Sequence, residues 1–215
     1  MKPPAASRFV GILSEVADYY SAKLAEHGET ALGVDWNGRE SQYLRFEQLA
    51  KIIQQPREFS VNDLGCGYGA FLDYLRSRYS DFSYAGCDAS TDMVAAARER
   101  HAATTRATFV VASEPPEPAD YGVASGIFNV RLGCRDVEWR EYLEATLDIL
   151  DRTSRRAFAF NCLTSFSDHD RMREHLYYAN PGSLFDLCVR RYSRHVALLH
   201  DYGLYEFTIL VRKHP

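Results

Sequence analysis

The chain of 215 residues carries a formal net charge of −4, with 46% hydrophobic, 13% aromatic and 25% charged residues. That length suits a single α/β unit with a well-filled core; the composition excludes a disordered chain, and the acidic balance excludes an overall basic face for nucleic acid. Five cysteines, Cys66, Cys87, Cys134, Cys162 and Cys188, contain no CxxC pair, so neither a disulfide framework nor a zinc site is signalled and no metal is expected.

In chain order, MKPPAASRFVGIL has no apolar run long enough for a signal peptide, and no later window approaches about 18 apolar residues. A cytoplasmic protein with reduced thiols and no membrane partner is expected. Phe9, Leu13, Val16, Tyr20 and Leu24 recur at three-to-four spacing, which predicts an amphipathic helix ending near His27 and Gly28. The turn-rich segment GVDWNG, 33–38, follows. Residues 41–55 then read as a second helix with Phe46, Leu49, Ile52 and Ile53 inward, closed by Pro56.

From Phe59 onward, short apolar runs alternate with helical segments, the mark of a parallel sheet with crossover helices. The strands are FSVNDL, FSYAGC, TFVVA, YGVASGIF and RAFAFNC. Crossover helices are carried by Phe71, Leu72, Leu75 and Tyr79, then Met93, Ala96 and Ala97, and later Trp139, Leu143, Leu147 and Leu150. SEPPEPAD is too short and too rich in proline for a helix and reads as a loop. The clusters Arg152, Arg155, Arg156 and Arg190, Arg191, Arg194 read as solvated helix ends. The terminal HVALLHDYGLYEFTILVRK is two strands around a short turn, which must pair antiparallel because a parallel return needs a dozen or more residues. A mostly parallel sheet therefore closes with a reversed strand. The whole of 1–215 reads as one domain, with a helix and lid-like loop over 1–40 and a Rossmann-like core over 41–215.

The informative stretch is VNDLGCGYGAFLDYL, from Val61 to Leu75. Gly65, Cys66, Gly67, Tyr68, Gly69 and Ala70 satisfy a loose dinucleotide fingerprint, and Asp88 stands near the spacing expected of a ribose-binding acid. Three features argue against NAD: Asp63, which opposes a pyrophosphate but favours an ammonium or sulfonium; bulky Tyr68 inside the turn; and the closing hairpin. A phosphate loop is excluded because no GK[ST] follows.

DLGCGYG, YAGCDAS, the YGVASGIFNV strand and the terminal LYEFTILVRK together resemble a class I S-adenosylmethionine-dependent methyltransferase. The resemblance runs from about Ser41 to the C-terminus. It implies a three-layer, doubly wound sheet of seven strands with the last antiparallel, preceded here by the N-terminal helices. It also implies S-adenosyl-L-methionine as cofactor and S-adenosyl-L-homocysteine as product, lying across the carboxyl ends of the first, second and fourth strands.

On that footing Gly65, Cys66, Gly67 and Gly69 let the backbone approach the methionine moiety, and Asp63 accepts from its ammonium group. Asp88 accepts from both ribose hydroxyls, Ala89 and Met93 lie against the adenine, and Ser113 or Glu114 bonds its amino group. Asn129 after strand four joins this set. Arg45 is assigned to the cofactor carboxylate, which suits an arginine fork, and Trp36 reads either as a cap over the cofactor or as a buried anchor for the GVDWNG loop.

Methyl transfer needs little covalent help from the protein. An oxygen or nitrogen acceptor can still need a base, and the candidates are Asn129, Arg131, Asn161, Asp168, His169, Tyr177, Tyr178 and His200. His169 beside Asp168 is the preferred one. Arg131, Tyr177 and Tyr178 are assigned to acceptor binding. SGIFNV stands where an NPPY-like tetrapeptide would mark an amino-group methylase, and the acidic charge argues for a small-molecule acceptor without nucleic acid. The alternatives are a methyltransferase acting on RNA or protein, an NAD-dependent oxidoreductase, and a cofactor-binding regulatory module.

Overall fold

The computed structural model describes residues 9–213. Helix α1 (Val10–His27) ends at Gly28, whose φ of 63° suits glycine, and a short 3-10 turn, Leu32–Val34, leads toward α2 (Arg39–Ala50). The second helix stops before the expected Gln55. Ile52 and Ile53 bond back to the carbonyls of Leu49 and Ala50, and such three-residue spacing tightens a helix end into a turn.

The sheet follows as β1 (Phe59–Leu64), β2 (Phe82–Asp88), β3 (Ala107–Val111), β4 (Ala119–Ala124), β5 (Ser154–Leu163), β6 (His195–Leu199) and β7 (Glu206–Arg212). Between them run α3 (Ala70–Arg76), α4 (Thr91–Arg100), α5 (Asp136–Arg152) and α6 (Pro181–Arg191). The order across the sheet is β3-β2-β1-β4-β5-β7-β6. β1 to β5 are mutually parallel, and β7 runs antiparallel to both β5 and β6.

β4 is shorter than the run YGVASGIF suggests. It ends at Ala124 because Gly126, at φ 77°, turns the chain out of the sheet.

Alternation along β5 divides the core. Ala157 and Ala159 join a cluster with Phe46, Leu49, Phe71, Leu72 and Val94 beneath α2, α3 and α4. Phe158, Phe160 and Cys162 join Trp139, Leu143, Leu147, Leu184 and Cys188 beneath α5 and α6. Successive side chains point to opposite faces of a strand, so one strand feeds both layers, and each fully buried large apolar side chain contributes roughly 1.5–3 kcal/mol. Trp139, wholly buried, also has its indole N–H satisfied by the Phe128 carbonyl at 3.0 Å.

Ser90 caps α4 through the Met93 amide, and Asn180 caps α6 through the Ser183 amide with Pro181 in its first turn. All five cysteines are free thiols. Among the described residues no helix is long and apolar enough to cross a membrane.

Candidate functional site

At the carboxyl ends of β1, β2 and β4, where open α/β sheets place their ligands, lies a cavity of about 930 Å³ counting its open mouth. Its floor is the turn between β1 and α3. Gly65, Gly67 and Gly69 all have positive φ, at 74°, 54° and 84°. Two of them also have no room for a side chain: a Cβ on Gly65 would sit 2.1 Å from Cγ2 of Ile127, and one on Gly69 would lie 2.8 Å from Cδ2 and Nε2 of His101.

Asp63, near the end of β1, lines the cavity and is 2% exposed. The Tyr84 hydroxyl donates to its Oδ2. Burial raises its pKa to about 7, the Tyr84 hydrogen bond works against that rise, and the charge on Asp88 adds to it. Asp88 ends β2, and its two oxygens accept from the Gly67 and Ser90 amides, both at 2.9 Å. Burial raises this carboxyl too, opposed by the amides of Ser90, Gly67 and Ala89. Cys66 also lines the cavity, and burial pushes its thiol well above the ordinary value, so it stays protonated.

The front of the chain forms the roof. Leu13, Val16 and Tyr20 of α1, with Val34 and Trp36 of the following loop, face the same cavity. Tyr19 donates to Asp35 at 2.8 Å, Lys23 pairs with Asp35 at 3.2 Å, and the Ser21 and Ser90 hydroxyls meet at 2.9 Å. These contacts hold α1 to its own loop and to α4.

Of the residues singled out in the sequence, Trp36, Asp63, Gly65, Cys66, Gly67, Asp88, Ala89, Met93 and Ser113 line this one cavity. Gly69 supports the turn from behind, its carbonyl 3.0 Å from Nε2 of His101.

Others are corrected by their surroundings. Arg45 does not face the cavity as a free cation, because its fork is engaged by Glu206. Glu114 is exposed and paired with Arg152 on α5, which leaves Ser113 as the residue turned inward. The Asn129 side chain accepts from the Leu163 amide at 3.1 Å and ties the segment after β4 to β5.

The acceptor candidates fare similarly. Arg131 is spent on the carbonyls of Leu176 and Cys134 and on Asp136. Tyr177 packs on the core beneath α5 and α6, and the Tyr178 hydroxyl accepts from the Arg173 amide. His169 is exposed on a 3-10 turn, and Asp168 takes the Tyr205 hydroxyl instead of orienting the imidazole. Among the described residues no histidine lines the cavity.

Sequence reasoning missed Gln42, Tyr142, Thr146, Ser125 and Ile127, all of which line it. A signal for Gln42 was present: it stands four residues before Phe46, a polar side chain in the apolar stripe of α2, and is 3% exposed. Its amide reaches the Tyr68 hydroxyl at 3.3 Å. Tyr142 and Thr146 share one face of α5 by the same spacing.

The sequence profile of the methyltransferase-domain family matches residues 61–155. A protein of Mycobacterium tuberculosis named as a methyltransferase is 60% identical over 163 residues, covering 76% of this chain and 98% of its own length. Trans-aconitate 2-methyltransferase of Rhizobium leguminosarum bv. trifolii is 32% identical over 122 residues, 52% of this chain and 43% of that protein. Among solved structures, the complex of DhpI with SAH superposes with a TM-score of 0.63 at 16% identity, covering 93% of this chain and 96% of the other.

Proposed function

The chain belongs to the class I S-adenosylmethionine-dependent methyltransferases, and from that premise we propose that it methylates an oxygen or nitrogen of a small-molecule acceptor inside the cavity described above. The observation that carries this reading is the charge of the lining: two carboxylates, Asp63 and Asp88, with no cation among the described lining residues. A buried carboxylate without a cation calls for one from a ligand, and a sulfonium with an α-ammonium group answers that call.

Asp63 then accepts from the ammonium group, and the turn from Gly65 to Gly69 lies along the methionine moiety. Asp88, whose carboxylate is already oriented by two backbone amides, accepts from the ribose hydroxyls. Ala89 and Met93 flank the adenine and Ser113 meets its amino group. Gln42 and Tyr68 take the carboxylate end in place of Arg45. When bound, the sulfonium supplies an electrophilic methyl group to an acceptor atom approaching in line with the breaking bond. The chain's own work is to hold both partners in near-attack geometry and to exclude water by closing α1 and the Trp36 loop over them.

An acceptor small enough to sit beneath that roof fits better than a polymer, and one relative is named for a small acid, trans-aconitate. The acidic net charge argues in the same direction, and the five free cysteines suit the reducing cytoplasm. In this reading 1–40 serve as lid to a single catalytic unit spanning 1–215.

Calorimetric titration with S-adenosylmethionine, S-adenosylhomocysteine and NAD tests the cofactor assignment: heat with the first two and none with NAD is expected, and the reverse overturns it. Methyl transfer from labelled cofactor into a fractionated lysate tests the acceptor class. Label confined to the nucleic-acid or protein fraction would overturn the small-molecule reading.

A further inference from the structure

Behind the cavity lies a buried polar chain that cofactor binding leaves unused. Arg45 on α2 places Nε 2.8 Å from Oε2 and Nη2 2.8 Å from Oε1 of Glu206, the first residue of β7. Oε2 of Glu206 also accepts from Nδ2 of Asn161 at 2.8 Å, and Oδ1 of Asn161 accepts from the Gly126 amide at 2.7 Å. Arg45, Glu206 and Asn161 are 6%, 1% and 0% exposed. Three residues distant in sequence thus share one dry network, where each hydrogen bond counts for more than it would in water.

The two ends of this chain meet at Trp36. The Arg45 guanidinium lies 3.9 Å from the centroid of the indole ring. A Cβ at Gly126 would come within 2.4 Å of Cζ2 of the same ring. The indole of Trp36 is therefore in contact with a cation and also lies close against the bare backbone of Gly126. The chain neighbours of Gly126 after β4, Ser125 and Ile127, line the cavity, and the Ser125 hydroxyl is buried there with no protein partner.

Stability alone does not account for such a pair, since apolar residues of similar volume often serve a core as well or better. We propose that Arg45, Glu206 and Asn161 are positioning residues that latch the lid: they hold Gly126 and Trp36 against each other, so that closing the front loop and placing Ser125 and Ile127 at the end of the cavity are one event. The proposal rests on the methyltransferase reading of that cavity.

The latch is tested in the full chain with S-adenosylhomocysteine as probe, following Trp36 emission as the difference between the parent and a Trp36→Phe variant. Two alterations break the seat by different routes. The double variant Arg45→Met with Glu206→Gln removes the charges together and leaves none orphaned, whereas Gly126→Ala pushes the ring away and leaves Arg45, Glu206 and Asn161 in place.

Trp36 is half-buried in the parent; in both variants its emission is expected to become more accessible to acrylamide, and the probe to dissociate about tenfold faster or more. Asp88→Ala, by contrast, is expected to weaken the probe without exposing Trp36. If the double variant does not fold, Gly126→Ala alone decides. Folded variants whose Trp36 is no more accessible than in the parent and that release the probe at the parent rate overturn the latch while leaving the cofactor site standing. A parent protein that does not bind the probe overturns the cofactor site and the latch with it.

Discussion

Asp63 and Glu206 are both carboxylates at the same end of the sheet, 2% and 1% exposed, and their surroundings differ in one decisive respect. Asp63 is next to last in the parallel strand β1. Glu206 begins the antiparallel β7, opposite Leu163 of β5, and so reaches that end of the sheet from the other direction. Asp63 has a tyrosine hydroxyl for company and no cation, while Glu206 has the arginine fork and an asparagine amide. The chain gives the first carboxyl no counter-charge, whereas the second is tied to a cation of its own. The same residue chemistry therefore reads as ligand site or as framework according to whether the chain itself provides the counter-charge.

The sharpest way to break this comparison is to neutralise each acid in turn. Glu206→Gln orphans the Arg45 guanidinium in the interior and is expected to cost about 3–5 kcal/mol, lowering the thermal midpoint by about 10 °C for a chain of this size. Urea unfolding measures it, and a loss no larger than that of a surface substitution would show that the pair is not a strut.

The same change at Asp63 should act in the opposite sense. The folded pKa of about 7 lies above the ordinary value of 3.8, so between those values the folded protein holds a proton that the unfolded chain has released. Stability contributed by that proton is present at low pH and is lost as pH rises through about 7. At pH 8 the charged, buried carboxylate penalises the free protein, and Asp63→Asn is expected to stabilise it by about 1–3 kcal/mol. That is below the roughly 4 kcal/mol that three pKa units represent, because the new amide N–H₂ gains no partner of its own. Destabilisation of the ligand-free protein at pH 8 would contradict the assignment.

A ligand ammonium group needs the charged form of Asp63, so cofactor binding below pH 7 must expel the proton. Affinity for S-adenosylmethionine is expected to fall by about tenfold per pH unit below that point, with proton release visible as a buffer-dependent heat. In Asp63→Asn the affinity should be weak and the slope absent. A parent protein whose affinity is flat from pH 5 to 8 would remove Asp63 from contact with the ammonium group.

The smallest effect is expected at His169, exposed and outside the cavity. His169→Ala should leave stability and cofactor affinity within about 0.5 kcal/mol of the parent. A large loss of either would reopen it as a functional residue.

The part of the cavity lining built from the β1 turn and the two strand-end acids was legible because its pieces are local. A strand end, three glycines and an acid at the end of the next strand are short-range features, and each has a steric or electrostatic reason that does not depend on the rest of the chain. The reversed strand was legible for the same kind of reason, since a short turn permits only antiparallel return. The rest was not. Arg45 and Glu206 stand 161 residues apart, and nothing local to either reveals the other, so Arg45 read as a free cation available to the cofactor. Glu114 looked suited to the adenine by position alone, and only the packing of α5 shows Arg152 drawing it outward.

What the sequence determined by itself is the alternation of elements, the sheet's reversed last strand, the conformation of the glycine turn and the presence of acids at two strand ends. These follow from periodicity, turn stereochemistry and chain connectivity, which act over a few residues at a time. Tertiary structure decided which buried charges are compensated, which polar residues of α2 and α5 face the cavity, and that Trp36 meets both Arg45 and Gly126. Charge compensation depends on distance in space and on exclusion of water, and both come into being only when α2, β5 and β7 have packed together.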